Sequence, residues 1–215
     1  MRTALIVVLL AQTLAPPTEL PAPASAQLAA SLAASRPHSR HVWRDTPPRD
    51  GSDRVTAYVE IPRGDRRKFE FDMGANRLRI DRMMPPDLAY PVNYGFVPQT
   101  VSYDGDPFDV LVLGPALKQG TVLHGIVLGI MHMTDEKGLD SKVVVSPLDG
   151  KGRARYQLTP AERARIGGFF ARYKRHEPGK FSRVSGWGPV EEGRAFVEQT
   201  HAFFADAARR PLPNR

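Results

Sequence analysis

The stretch Asp104-Gly105-Asp106-Pro107-Phe108-Asp109 constrains this chain more than any other. Three carboxylates fall within six residues, and the apolar run Val110-Leu111-Val112-Leu113 follows at once. Such a run, bounded by Gly and Pro, reads as a short buried strand. The acids therefore sit on a turn leading into the core, where they cannot simply splay into water. Like charges that close disfavour joint ionisation unless a cation neutralises them. Oxygen-only ligands suit a hard divalent ion such as Mg²⁺, Mn²⁺ or Ca²⁺. A solvated acidic turn is the alternative for Asp-Gly-Asp-Pro alone. An EF-hand loop fails, because Pro115 stands where its closing Glu belongs and Asp is missing from the third ligand slot. The stretch reads as a metal site.

With 215 residues there is room for one sizeable domain with a proper core. The absence of cysteine excludes disulfides, thiolate metal sites and cysteine nucleophiles. The formal net charge of +7 suggests an anionic partner, but the basic residues are spread along the chain rather than held in one block.

Met1-Arg2, the apolar run Ala4 to Leu10 and the small-x-small pattern Ala24-Ser25-Ala26 read as an export signal over residues 1–26. The apolar run is too short to span a bilayer as a helix, and no cysteine is present for a lipid anchor. These features predict an exported, periplasmic protein without a stable membrane anchor; an overextended start on a cytoplasmic protein is the alternative. Residues 27–54, rich in Ala, Ser, Pro and Arg, are expected to form a flexible leader. The folded domain is expected over residues 55–215.

Within it, Val55 to Ile61 reads as a strand. Lys68-Phe69-Glu70-Phe71-Asp72 alternates strictly, sending both Phe side chains to the core and the charges to the other face. A turn at Gly74-Ala75-Asn76 and a return strand over Leu78 to Asp81 make a hairpin that brings Lys68, Glu70 and Arg82 together. Met83 to Gln99 reads as a loop carrying Tyr90 and Tyr94. Thr121 to Met133 is a long β-rich run in which Gly125 and Gly129 permit bulges. The acidic loop Thr134 to Lys142 can bring further carboxylates and a lysine to the opening motif, and a strand follows from Lys142 to Val145. Thr159-Pro160-Ala161-Glu162 is a capping box before a helix with Ile166, Phe169, Phe170 and Tyr173 on one face. Pro189 opens a last helix with an apolar stripe. This order predicts an α+β, mainly β domain: a small, mostly antiparallel barrel followed by two helices.

At this point the motifs resemble the soluble family I inorganic pyrophosphatases. The resemblance is carried by Glu60-Ile61-Pro62, Lys68-x-Glu70, Asp81-Arg82, Tyr90-Pro91-x-Asn93-Tyr94-Gly95, Asp104-Gly105-Asp106-Pro107-x-Asp109, Met133-Thr134-Asp135-Glu136-x-Gly138-x-Asp140-x-Lys142 and Tyr173-Lys174, in that order. It implies an OB-like five-stranded barrel with two C-terminal helices packed on it, and Mg²⁺-dependent hydrolysis of pyrophosphate to two orthophosphates, with Mn²⁺ as a possible substitute. By resemblance, Asp104, Asp109 and Asp140 are ligands of a first metal, and Asp109 bridges to a second across the attacking water. Asp135 and Asp140 are similar to ligands of a metal arriving with substrate, and Glu70 to that of a fourth. Glu60 and Glu136 match residues in or beside the outer metal shell. Asp106 matches the residue that orients and deprotonates the nucleophile. Lys68, Arg82, Lys142, Tyr173 and Lys174 match phosphate-binding side chains, and Tyr90 and Tyr94 the tyrosines of the cavity. Asp106, Tyr94, Lys68, Arg82 and Lys142 form the implied catalytic set.

The resemblance also implies a homo-oligomer, since bacterial members are usually hexamers, although the first C-terminal helix reads Gly167-Gly168 and Arg172 where packing histidines are expected. The segment from Asp140 to Tyr173 is shorter than usual in the family, and the familiar bacterial members carry no export signal. Two rival readings remain on composition: a basic OB-like nucleic-acid-binding domain, or an exported divalent-metal-binding module without turnover. The first would want exposed aromatics for base stacking, whereas acids crowd the motif positions. The expected partner is pyrophosphate rather than nucleic acid.

Overall fold

Proline and glycine punctuation divides the chain into short elements. In a computed structural model, which describes residues 15–51 and 54–209, they run α1 (Ala22–Ser35), α2 (Val42–Asp45), β1 (Arg54–Ile61), β2 (Arg67–Asp72), β3 (Arg77–Met83), β4 (Asn93–Phe96), β5 (Asp109–Val112), β6 (Val122–Asp135), β7 (Gly138–Leu139), β8 (Lys142–Pro147), α3 (Pro160–Phe170), β9 (Ser182–Gly188) and α4 (Val190–Arg209).

Strands β1, β4, β5, β8 and β6 pair in that order, and β6 pairs back with β1 to close a five-stranded ring. Closure removes the sheet edges that would otherwise invite pairing with other chains. The ring is mostly antiparallel, as expected, with one exception: β5 and β8 are parallel. Strand β6 lies between them in the chain and turns back through β7, so β8 enters the ring in the direction of β5. The 14-residue β6 serves four partners: β1 along its first half, β8 from Gly125 to Met131 across a register shift at Val127/Gly129, and β9 and β7 towards its end. The two glycines of this run were expected to allow such a bulge, and Gly129 is where it falls.

Strands β2 and β3 form the expected hairpin as a separate two-stranded sheet. Phe69 is buried as expected, whereas Phe71 is only half-buried and packs on the cluster around Trp43 and Phe96. Three strands were not foreseen, one of them the two-residue β7 within the acidic loop. The loop expected over Met83 to Gln99 contains β4, whose Gly95 lies so close to β1 that a Cβ there would fall 1.8 Å from the Tyr58 carbonyl oxygen. Strand β9 pairs with β6.

Thr159 caps α3 by accepting from the Glu162 amide at 3.2 Å, and Ile166, Phe169 and Phe170 are buried as the helical spacing predicts. Helix α4 packs on β6 and β8 with Phe196, Val197 and Phe204 inward. Thr200, the one polar interruption of its stripe, is fully buried and donates to the Phe196 carbonyl at 2.8 Å.

The expected flexible leader is instead ordered. Ala24, Leu28 and Leu32 recur every fourth residue and make one buried face of α1, which packs on α4. Arg44 closes the end of α1 by donating to the Ser35 carbonyl at 2.6 Å. Trp43 is 1 % exposed, donates from Nε1 to the Thr100 carbonyl at 2.9 Å and meets Phe204 edge-on. Burial of two leucines and a tryptophan outweighs the entropy that composition alone was expected to leave unopposed. The apolar run Ala4 to Leu10 lies outside the described residues, while Ala24-Ser25-Ala26 lies inside α1. Among the described residues no helix is long and apolar enough to cross a membrane.

Candidate active site

Strand ends and turns meet around one cavity of about 440 Å³, and every candidate site residue named from the sequence lines it. Parallel pairing sets its centre. Val110 is in register with Val143, so Asp109 and Lys142, one residue earlier on each strand, emerge side by side. Lys142 Nζ contacts Asp109 Oδ2 and lies 2.8 Å from Asp140 Oδ1. Tyr94, from β4, donates its hydroxyl to the other Asp109 oxygen at 2.7 Å.

The β2–β3 hairpin supplies a second wall. Lys68 and Arg82 are directly opposite in register. Lys68 Nζ lies 2.9 Å from Glu70 and 3.3 Å from Asp81, and Arg82 reaches Asp81 and Glu177. Past α3, Lys174 Nζ lies 2.6 Å from Asp135 and 2.9 Å from Glu136. Tyr90 and Tyr173 stand in the aromatic cluster with Phe169.

The acidic turn itself is built by Gly105 at φ +92°, a conformation that disfavours any side chain. The Asp106 amide donates back to Asp104 Oδ1 at 3.1 Å, and the Ser102 amide donates to the Asp106 carbonyl at 2.6 Å. Phe108, buried at the exit of the turn, donates its amide to Thr100 Oγ1 at 2.9 Å. Asp104 and Asp109 are thereby drawn inward, while Asp106 stays half-exposed at the mouth.

Nine carboxylates and seven Lys or Arg side chains line the cavity, so acid predominates in a chain that is basic overall. Burial, then the Asp106 and Asp109 carboxylates, push Asp104 up to about 7. Burial, opposed by Lys142 and reinforced by Asp109 and Asp104, pushes Asp140 up to about 8. Glu60 is held well above the ordinary carboxylate range by burial and by Asp109. Burial works against the Lys142 charge, yet Asp109 and Asp140 hold its ammonium well above the usual lysine range.

The donor set suits hard divalent cations: it is all oxygen, crowded, and short of positive charge. Among the described residues no three Asp, Glu or His groups stand in a ready-made metal cluster; Lys142 sits between Asp109 and Asp140, and Lys174 between Asp135 and Glu136. Sequence reasoning missed Gln27 and Ser31, which reach the same cavity from α1, and Lys137, whose Nζ lies 3.4 Å from Asp106. Lys137 falls at an unspecified position of the quoted Asp135–Lys142 motif. Gln27 carries no local signal, because Asp106 is 79 positions away.

Comparison with known proteins decides what this cavity belongs to. The family model described as inorganic pyrophosphatase matches residues 57–205. The chain belongs to the inorganic pyrophosphatase family. Among curated relatives, the inorganic pyrophosphatase of Saccharolobus solfataricus is 37 % identical over 160 residues, covering 71 % of this chain and 93 % of the relative. That of Ralstonia nicotianae is 39 % identical over 155 residues, covering 68 % and 89 %. The solved structure of an inorganic pyrophosphatase from Coxiella burnetii superposes with a TM-score of 0.66 at 37 % identity, covering 75 % of this chain and 99 % of that one. The pyrophosphatase match begins after α1 and α2, so the ordered N-terminal helices lie outside it.

Proposed function

We infer that this chain is an inorganic diphosphatase that hydrolyses pyrophosphate to two orthophosphates, with Mg²⁺ as its divalent ion and no covalent phosphoenzyme. The observation that carries the reading is a single cavity in which the carboxylates of Asp104, Asp106, Asp109, Asp135 and Asp140 stand with Lys68, Arg82, Lys142 and Lys174. Asp104, Asp109, Asp135 and Asp140, with Glu60, Glu70 and Glu136 beside them, are the groups that would hold divalent ions. Bound there, such ions offset phosphate charge and lower the pKa of water toward neutrality.

The side chains divide the remaining work. Lys68, Arg82, Tyr173 and Lys174 hold phosphate oxygens and orient the anion. Asp106, at the mouth, accepts a proton from the attacking water. The water oxygen forms a bond to one phosphorus, the bridging P–O bond breaks, and its electron pair leaves with the second phosphate. Lys142 and Arg82 stabilise charge that grows on the leaving phosphate, the main source of catalysis in phosphoryl transfer. Tyr94 fixes Asp109 by its hydrogen bond, and burial holds the Tyr94 hydroxyl protonated, well above the usual phenol range.

Phosphate release from pyrophosphate tests the reading with Mg²⁺ alone and with Ca²⁺ added. Mg²⁺ keeps octahedral geometry at about 2.0–2.1 Å while Ca²⁺ takes longer bonds and more ligands, so Ca²⁺ is expected to inhibit. Equal rates with either ion would contradict the choice of Mg²⁺, and no release with any divalent ion would contradict the reaction.

Export and homo-oligomeric assembly belong to the same proposal. Export is supported by the charged start, the apolar run and Ala24-Ser25-Ala26. Because Ala24 is buried in α1, cleavage after Ala26 must act on the chain before it folds. Assembly is supported by the resemblance alone, and light scattering of the purified chain measures it.

A further inference from the structure

We infer that Gln27, on α1 and outside the family-matched region, is a positioning residue for the Asp106 carboxylate. The inference rests on the reading of Asp106 as the group that accepts a proton from water. Gln27 Nε2 donates to Asp106 Oδ1 at 2.5 Å, and Lys137 Nζ stands 3.4 Å from Oδ2. Each oxygen is thus met by a donor from a different element, one from α1 and one from the β6–β7 turn. Asp106 needs such help. It rides on a glycine turn, is half-exposed, and an exposed carboxylate on a turn samples several rotamers unless something holds it.

The contact is built rather than incidental. Leu28, the next residue, is 3 % exposed in the cluster with Trp43 and Phe204, so the backbone that carries Gln27 is fixed. The Gln27 side chain also lies over Gly105, its Cβ and Cδ 2.9 Å from where a Gly105 Cβ would stand. Ser31, one turn further along α1, faces the same cavity. An amide is the fitting donor here. It orients a carboxylate by hydrogen bonding but carries no charge of its own to compete for phosphate, as a second lysine beside Asp106 would.

Gln27→Met in the full chain keeps the length and the contact with Gly105 but removes the donor. We expect kcat with Mg²⁺ and pyrophosphate to fall about tenfold, a fraction of the 10²–10⁴ that a general base contributes. KM and the melting temperature should not change. In the Asp106→Asn background the same substitution should cost nothing further, because its effect runs through that carboxylate. An unchanged kcat, a change in KM alone, or an equal loss in the Asp106→Asn background would each overturn the inference. If Asp106→Asn itself keeps full turnover, the base assignment fails and the inference falls with it. If Asp106→Asn is slow and Gln27→Met is not, only the inference falls.

Discussion

Lys142 Nζ lies 2.8 Å from Asp140 Oδ1 in a pocket where the lysine side chain is 1 % exposed. The same ammonium contacts Asp109, so one buried cation holds two acids that would otherwise repel each other. Removing one partner of a buried ion pair costs about 3–5 kcal/mol, because the remaining charge is left uncompensated. Lys142→Met is therefore expected to lower the melting temperature, and Mg²⁺ should raise it by more in the variant than in the wild type, by supplying the missing charge. Thermal melts with and without Mg²⁺ check this; equal Mg²⁺ shifts in the two proteins would count against it.

Asp104 and Asp140 give a signed pH dependence. Their folded values are pushed up to about 7 and about 8, above an unfolded value of about 3.9. Between those limits the folded chain binds more protons than the unfolded one, so these two groups make stability fall as pH rises from about 4 to about 8. In chelator, Asp104→Asn and Asp140→Asn should each flatten that slope. Mg²⁺ binding near pH 7 should also release protons, seen as a buffer-dependent heat in calorimetry. A heat independent of the buffer's ionisation enthalpy would exclude the coupling.

The acids of the opening motif should separate by role. Asp106→Asn keeps size and an acceptor oxygen but cannot take the proton, so turnover should drop by about 10²–10⁴ while Mg²⁺ still binds. Asp109→Asn should weaken Mg²⁺ binding, and added metal should restore only part of the rate. Metal titration beside kinetics distinguishes the two; loss of metal as severe in Asp106→Asn as in Asp109→Asn would refute the assignment.

Export predicts a chain beginning at Gln27 in an extracytoplasmic fraction, read by intact mass. That chain lacks the Pro17 carbonyl that accepts from Tyr103 at 2.8 Å and the buried Ala24. It should melt below the full-length protein, since the first turn of α1 is gone. A protein still starting at Met1 and confined to the cytosol would rule out export.

Much of the site was legible because its chemistry is local. The acidic turn, the Lys68/Arg82 hairpin and the Asp135–Lys142 loop each announce themselves within a few residues, and register then brings them together. What could not be read depends on long-range packing. Strand β4 is four residues between prolines, too short for any period to declare itself, and is a strand because β1 and β5 flank it. The parallel pairing of β5 with β8 follows from where β6 turns, which no spacing encodes. Helix α1 had a signal in Ala24, Leu28 and Leu32, but Ala, Ser and Pro around it masked that spacing. Its contact with Asp106 had none.

The central claim is that this carboxylate-lined cavity hydrolyses pyrophosphate with the help of a divalent ion. The most direct measurement is orthophosphate released per pyrophosphate consumed by the purified chain, in chelator and after Mg²⁺ is restored. The account predicts two orthophosphates per pyrophosphate, turnover abolished by the chelator and recovered with Mg²⁺. Mg²⁺ binding without phosphate release, or release that persists in chelator, would contradict it.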